Sequence, residues 1–260
     1  MAEGSRFSSI LIANIVLISV ATPTVAMKLW VRGRILHRLG WDDALIVVTW
    51  ILGTALLAVI FDMTRYGLGT HFQDVPPSEL TTYLKLTVVV SLTYIWGLIT
   101  AKASFAFMYM SLFVDRFSKR INRFLIVFLV AEGIEETFVV MFQCNPVRKA
   151  WEVTIPGRCI SLIKFYYAAF AIKNFTNILI FVQPIPSICR LQMPRAERLI
   201  LCLMLSLGML VFVITILRIT WLSRDPNDPT YLLVDSLIWS EAEIWTLVIC
   251  SCLPSLRDYG

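Results

Sequence analysis

The chain has 260 residues, of which 58% are hydrophobic and only 16% are charged. An average soluble domain carries about 45–50% apolar and about 25% charged residues, so the composition argues against a soluble globular protein. The formal net charge of +5 suggests an acidic partner. The excess of basic residues is explained instead by their enrichment in loops on one side of a membrane.

Long apolar stretches predict an all-α, polytopic membrane protein that folds as a seven-transmembrane helix bundle. A helix needs about 20 apolar residues to cross a hydrocarbon core of about 30 Å, and seven such helices use a little over half of the chain. We therefore expect a single membrane domain over residues 1–260. Its helices are expected over about 7–30, 43–64, 84–113, 124–143, 162–188, 199–222 and 231–253.

The loop charges predict the orientation of this bundle. Lys and Arg are enriched in loops on the cytoplasmic side of a membrane. The loops after predicted helices 1, 3 and 5, together with the segment after helix 7, hold eleven basic residues, whereas the opposite side holds six. We expect the N-terminus outside and the C-terminus in the cytoplasm, in the endoplasmic reticulum or the plasma membrane.

Two cysteines fall in the predicted outer loop between helices 4 and 5. Cys144 and Cys159 would lie in a compartment that permits disulfides. A bridge between them would close a loop of about 15 residues, worth about 3 kcal/mol in the chain-entropy model. Two unpaired loop thiols are the alternative.

Other classes of site leave no trace in the sequence. The only histidines, His37 and His71, lie in loops on opposite sides, so no His/Cys metal site is expected. Gly-rich phosphate loops and nucleic-acid-binding modules are absent. The expected partners are the lipid bilayer, a small lipophilic substrate or ligand, and membrane-bound pathway or signalling proteins, with no nucleic acid.

Ionisable residues interrupt predicted helices 4 and 5. Glu132, Glu135 and Glu136 are spaced i, i+3 and i+4, which predicts one shared helix face. Three neighbouring carboxylates cannot all be ionised at low cost, so we expect at least one to be protonated. In helix 5, Lys173 lies at a comparable depth and is the expected countercharge. These four residues are the candidate catalytic groups, because intramembrane ionisable residues indicate functional sites.

A second set of polar residues completes the expected ligand cavity. Asp235, Trp239 and Glu243 recur every four residues in helix 7, and Arg218 in helix 6 is within reach of Asp235 if the two helices are neighbours. The alternative to a functional role for Arg218 and Glu243 is a structural one, in an interhelical ion or hydrogen-bond network. The remaining cavity candidates are Lys102, Asn174 and Asn177.

Short motifs in the loops and helix ends resemble the fungal rhodopsin-like family of seven-helix integral membrane proteins, over about Trp30 to Arg257. The motifs are Gly40-Trp41-Asp42-Asp43, Tyr66-Gly67-Leu68-Gly69-x-His71, Lys102-x-Ser104 with Tyr109, Gln143-Cys144-x-Pro146, Pro156-Gly157-x-Cys159, Pro184-x-Pro186, Leu191-Gln192-x-Pro194, Ser206-x-Gly208 through Arg218, Trp239-Ser240-x-x-Glu243 and Cys252-Leu253-Pro254-x-Leu256-Arg257. Each motif is weak alone, and the ordered set is specific.

The resemblance implies a fold more firmly than a function. The family includes receptor-like proteins implicated in surface sensing and proteins encoded in secondary-metabolite clusters, such as the satratoxin-cluster membrane proteins. Helix 7 contains no lysine, so we expect no retinal and no other cofactor. The chain departs from the family pattern at Lys173 and Asn177, where the family favours Asn and Asp, and at Glu241 and Trp245. The three helix 4 glutamates also depart, because that helix is usually apolar.

Two functions from different classes therefore stay open. In the first, the glutamates and Lys173 protonate or deprotonate a lipophilic natural-product intermediate, driving cyclisation or isomerisation without a cofactor. In the second, the same charges form a two-state network in a receptor-like sensor of a small or lipidic ligand. A transporter is disfavoured, because seven helices do not provide the usual inverted repeats.

Overall fold

A computed structural model describes residues 3–35, 37, 39–69, 76–112, 116–152, 154–160, 162–183, 213 and 229–252 of the chain. Six long α-helices form its framework: α1 (Glu3–Trp30), α2 (Trp41–Met63), α3 (Pro77–Leu112), α4 (Arg116–Met141), α5 (Leu162–Val182) and α6 (Pro229–Cys252). Short elements join them: a π-helical turn (Val31–Ile35), 3-10 turns (Thr64–Tyr66 and Val147–Ala150), and strands β1 (Cys144–Asn145) and β2 (Arg158–Cys159).

The observed helices correspond to predicted helices 1–5 and 7. Apart from Val213, predicted helix 6 lies outside the described residues. Two boundaries were predicted too late, since α3 begins at Pro77 rather than near residue 84 and α4 begins at Arg116 rather than near 124. Hydropathy detects the part of a helix that crosses the membrane, whereas hydrogen bonding continues into the charged segments beyond it.

Three segments are long and apolar enough to cross a membrane, among the residues that the structure describes: Ile15–Ile35, Trp41–Tyr66 and Glu79–Ser111. Ala168–Val182, within α5, is a shorter apolar helical segment. The predicted all-helical membrane class is therefore confirmed.

The ends of α2 are set by two of the sequence motifs. At its start the Gly40 N–H donates to Asp43 Oδ2 at 2.9 Å, which closes a capping box. Acidic residues in this first turn also favour the positive end of the helix dipole. At the far end Gly67 adopts a left-handed conformation with φ of 95°, and the Leu68 N–H bonds back to the Met63 carbonyl at 3.2 Å. Glycine permits that reversal without a steric cost.

Helix α3 lies at the centre of the described bundle. It packs against α2, α4, α5 and α6, while α1 packs against α6 and α2. Residues from Val90 to Tyr109 supply much of the buried core. The polar side chains of Tyr94, Lys102 and Ser104 are therefore held inside the protein.

Between α4 and α5 lies a β-hairpin whose two strands have two residues each, and the predicted disulfide joins these strands. Cys144 pairs with Cys159 across strands β1 and β2, and the two Cα atoms lie 4.0 Å apart. The Ile160 N–H donates to the Gln143 carbonyl at 2.8 Å, extending the pairing by one residue. The bridge ties the end of α4 to the beginning of α5, the two helices that carry the candidate catalytic residues.

Candidate functional site

The sequence predicted that the three glutamates of α4 share one helix face. In the structure they do not all lie on the buried side of the helix. Glu132 and Glu136 are buried, with exposures of 7% and 3%, whereas Glu135 is exposed. A helix turns about 100° per residue, so Glu135 and Glu136 diverge by about 100° around the axis. Among the described residues, α3 packs against the side of α4 that carries Glu132 and Glu136, and Glu135 lies outside that contact.

A glycine lets the two buried glutamates approach α3 closely. A Cβ atom on Gly133 would lie 2.2 Å from Ile99 Cδ1, which is shorter than any normal contact. Small residues allow helix backbones to come together within a membrane. Gly133 thus sets the distance between α3 and the part of α4 that carries Glu132 and Glu136.

Lys173 of α5 pairs with one of these carboxylates. Its Nζ lies 2.9 Å from Glu136 Oε2, and the two side chains are 14% and 4% exposed. The ammonium also lies 5.1 Å from the ring centroid of Tyr94, within the range of a cation–π interaction. The Tyr94 hydroxyl in turn donates to Glu243 Oε2 at 2.7 Å. A polar chain therefore runs from α4 through α5 and α3 to α6.

Lys102 enters the same region from α3. Its side chain is 1% exposed, and Nζ donates to Thr176 Oγ1 at 2.9 Å and to the Lys173 carbonyl at 3.3 Å. Thr176 was not among the sequence candidates. Its spacing of three residues from Lys173 was the signal that could have identified it.

A small cavity lies between α3, α4 and α5. Its volume is about 10 Å³, comparable to the space that one water molecule needs. The lining combines two lysines, two glutamates and four aliphatic side chains: Lys102, Lys173, Glu132, Glu136, Ile95, Leu98, Ile99 and Leu129.

Glu132 is the least satisfied group in this cavity. Both of its carboxylate oxygens are buried and accept no hydrogen bond from a described residue. Glu136 Oε1 is in the same condition, while Glu136 Oε2 holds Lys173. Buried polar groups normally have partners, so these acceptors make the cavity a candidate binding site for a hydrogen-bond donor.

The other predicted cavity residues differ in their burial, and two of them lack described side chains. Asn174 and Asn177 of α5 are buried, and Asn174 Nδ2 donates to the Phe170 carbonyl at 2.9 Å. Trp239 is partly buried, while Glu243 is fully buried in α6. The predicted pairing of Arg218 with Asp235 falls outside the described residues, because only the backbone of Asp235 is described.

A second charged cluster joins α1, α2 and α6 at the opposite end of the bundle from the disulfide. Lys28 is fully buried and lies 3.5 Å from Asp42 and 3.7 Å from Asp43, and it donates to the Ser251 carbonyl at 3.2 Å. Arg32 binds both aspartates. Two cations and two anions compensate each other here, which favours a structural role. Lys28 was missed because it follows an otherwise apolar run.

The Lys102-x-Ser104 motif places its two polar side chains in different environments. Ser104 Oγ donates to the Asp42 carbonyl at 2.9 Å, fixing α3 against the start of α2. Lys102 instead reaches the cavity. One motif therefore connects the charged cluster at Asp42 with the candidate site.

Comparison with known proteins identifies the family. The model of the fungal rhodopsin domain matches residues 27–259. The chain belongs to the fungal rhodopsin domain family. The family resemblance found in the sequence motifs is thus confirmed, and the protein is a membrane protein of this family.

Curated relatives of the family include proteins from biosynthetic clusters. The chain is 28% identical over 234 residues to a SAT4 family membrane protein of Emericella nidulans, covering 88% of this chain and 56% of the relative. It is 30% identical over 125 residues to fugralins biosynthesis cluster protein 2 of Gibberella zeae, covering 45% and 31%. It is 22% identical over 271 residues to polyenoic acids biosynthesis gene cluster protein Ba17b of Metarhizium anisopliae, covering 94% and 74%.

The chain thus spans 56% and 31% of the length of the first two of these relatives. No solved structure matches the chain.

Proposed function

We propose that this protein acts in a fungal secondary-metabolite pathway, where it handles a small lipophilic intermediate in an acid–base cavity within the membrane. Two relatives carry names that place them in biosynthetic clusters, which supports the pathway role. We propose that it is a single seven-helix domain in the endoplasmic reticulum or the plasma membrane. Its partners there would be membrane-bound proteins of the same pathway.

One observation carries the chemical part of the proposal: the unsatisfied Glu132 carboxyl lies in the same cavity as the Glu136–Lys173 ion pair. A proton donor beside a carboxylate and an ammonium can add a proton to one atom of a substrate and remove one from another. Acid–base-catalysed cyclisation or isomerisation of a lipophilic carbon chain proceeds through such proton transfers without a cofactor. Glu132 would exchange the proton, and Lys173 would hold the Glu136 carboxylate through their 2.9 Å ion pair.

Entry of a substrate requires the helices to separate. The cavity holds about one water molecule and is therefore too small for a metabolite. Lys173 is 14% exposed, so the Glu136–Lys173 pair is the side of the site nearest to the protein surface. We propose that a substrate dissolved in the bilayer enters between α4 and α5 as this ion pair opens.

Deletion and complementation test the pathway role. Metabolite profiling of a deletion strain should show accumulation of one lipophilic intermediate and loss of a downstream product. Complementation with the wild-type gene or with the matched control Glu135→Gln should restore the product, because Glu135 is exposed outside the cavity. Glu136→Gln should not restore it. An unchanged metabolite profile in the deletion strain would contradict the proposal.

A receptor-like sensor of a small or lipidic ligand is the second candidate, and one observation favours it. The Tyr94–Glu243 hydrogen bond links the cavity to α6, and Lys28 holds the far end of that helix through the Ser251 carbonyl. A ligand that displaced Lys173 could bias this chain of contacts. In that case Tyr94→Phe should abolish a transcriptional response to the ligand while leaving the metabolite profile intact.

A further inference from the structure

Lys102 is a buried amine that acid–base chemistry by the glutamates does not require. Its side chain is 1% exposed and borders the cavity together with Glu132. Lys102 Nζ donates hydrogen bonds to two neutral acceptors, the Thr176 hydroxyl at 2.9 Å and the Lys173 carbonyl at 3.3 Å. A charged ammonium in such a place is costly to desolvate unless a carboxylate contacts it.

We infer that Lys102 is a nucleophile that forms a Schiff base with an aldehyde or ketone carbonyl of the lipophilic substrate. The inference rests on the proposed function and adds to it the chemical class of the substrate. Lysine amines become effective nucleophiles when they are desolvated in an apolar pocket or placed next to another cationic group. Lys102 meets both conditions, because aliphatic side chains line its cavity and Lys173 borders the same space.

The geometry distinguishes Lys102 from the second lysine. Lys173 Nζ lies 2.9 Å from Glu136 Oε2, so its ammonium has a carboxylate partner. No carboxylate of a described residue lies within 4.0 Å of Lys102 Nζ. Lys102 therefore loses less electrostatic stabilisation than Lys173 when it gives up a proton to become a nucleophile.

Glu132 borders the same cavity, and because that cavity has space for one water molecule, the proton can reach its carboxylate through a single water. Its two oxygens are buried, take no hydrogen bond from a described residue, and face the cavity that Lys102 borders. Transfer from the ammonium to the carboxylate converts two buried charges into a neutral amine and a neutral acid. Neutralisation lowers the cost of keeping both groups in an apolar environment.

The covalent step then balances within these groups. The neutral Lys102 amine attacks the carbonyl carbon and forms a C–N bond, and the proton left on nitrogen moves to the carbonyl oxygen to give a carbinolamine. Protonated Glu132 gives its proton to the hydroxyl, the C–O bond breaks, and water leaves as the nitrogen lone pair forms the C=N bond. The products are an iminium ion, one water molecule and the Glu132 carboxylate as its counterion.

The iminium ion explains why a lysine would help an isomerisation or cyclisation. It withdraws electrons from the adjacent carbon, so the Glu132 carboxylate can remove a proton there and return it at another carbon. Hydrolysis reverses the sequence and frees Lys102. The departing water matches the size of the cavity, about 10 Å³, while the carbon chain would lie against Leu98 and Leu129.

Reductive trapping tests the inference on the full-length protein in detergent micelles. The probe is dodecanal with sodium cyanoborohydride at pH 7, which converts an iminium ion into a stable secondary amine. Ordinary lysines are almost wholly protonated at this pH and react slowly. Peptide mass mapping should show a dodecyl adduct on Lys102 at early times, before the exposed lysine Lys85 of the same helix is modified.

Variants separate this chemistry from unspecific labelling. Lys102→Met should lose the early adduct, whereas Lys85→Met should keep it, and Glu132→Gln should slow its formation at an unchanged Lys102. An unmodified Lys102 in folded wild-type protein, with Lys85 modified, overturns the inference without any variant. Metabolite yields still lost in Glu136→Gln would then show that the acid–base proposal stands without the Schiff base. A Lys102 adduct with wild-type metabolite yield in Glu136→Gln would instead uphold the Schiff base and remove the proposed role of the Glu136–Lys173 pair.

Discussion

Lys173 of α5 and Glu136 of α4 form an ion pair of 2.9 Å inside the helix bundle, with both side chains largely removed from solvent. Their helices are also joined by the disulfide hairpin. The ion pair and the hairpin thus connect α4 and α5 at the interface through which we propose that a substrate enters.

Removing one partner of the Glu136–Lys173 ion pair should destabilise the protein more than removing both charges. Lys173→Met leaves a buried carboxylate without its countercharge and should lower the free energy of unfolding by about 3 kcal/mol. Lys173→Met combined with Glu136→Gln should recover part of that loss. Thermal unfolding in detergent, followed by circular dichroism, measures both effects. Equal stability of the single and double variants would show that the pair is not coupled.

A matched pair of substitutions tests the close approach of α4 to α3. Gly133→Ala places a methyl group 2.2 Å from Ile99 Cδ1 and should cost about 1–3 kcal/mol of stability. Ile99→Val removes that Cδ1 atom, so the double variant should regain most of the loss. The same unfolding assay reports the result. An absence of rescue would mean that contact with Ile99 is not what requires a glycine at position 133.

The disulfide should stabilise the outer hairpin. Cys144→Ser with Cys159→Ser opens a loop closed at a sequence separation of 15 and should reduce stability by about 3 kcal/mol. A reducing agent should lower the unfolding temperature of the wild type and leave that of the double variant unchanged. A wild type that does not respond to the reductant would contradict a stabilising bridge.

The orientation of the bundle can be tested with two lysines that are both partly exposed. We expect Lys119 on α4 to face the cytoplasm and Lys149 in the hairpin loop to face the opposite side. In sealed microsomes with their cytoplasmic face outward, an impermeant amine reagent should label Lys119, and it should label Lys149 only after detergent is added. The reverse pattern would invert the predicted topology.

Sequence reasoning identified the membrane class, the family and the disulfide because each depends on local features: apolar length, short motifs and loop cysteines. It failed for Glu135, since spacing along a helix does not tell how wide the buried stripe is, and the neighbouring helix decides that. Lys28 and Thr176 were missed because their roles come from contacts with residues of other helices, Asp42 of α2 and Lys102 of α3.

The most direct test of the acid–base account compares two glutamates that lie three residues apart on α4. Product formation is measured in a deletion strain complemented with Glu132→Gln or with Glu135→Gln, at matched protein levels in the membrane. The account predicts that Glu132→Gln lowers product yield about 10²-fold or more, the usual scale for lost proton transfer, while Glu135→Gln stays near the wild type. Wild-type yield from folded Glu132→Gln protein would contradict the account.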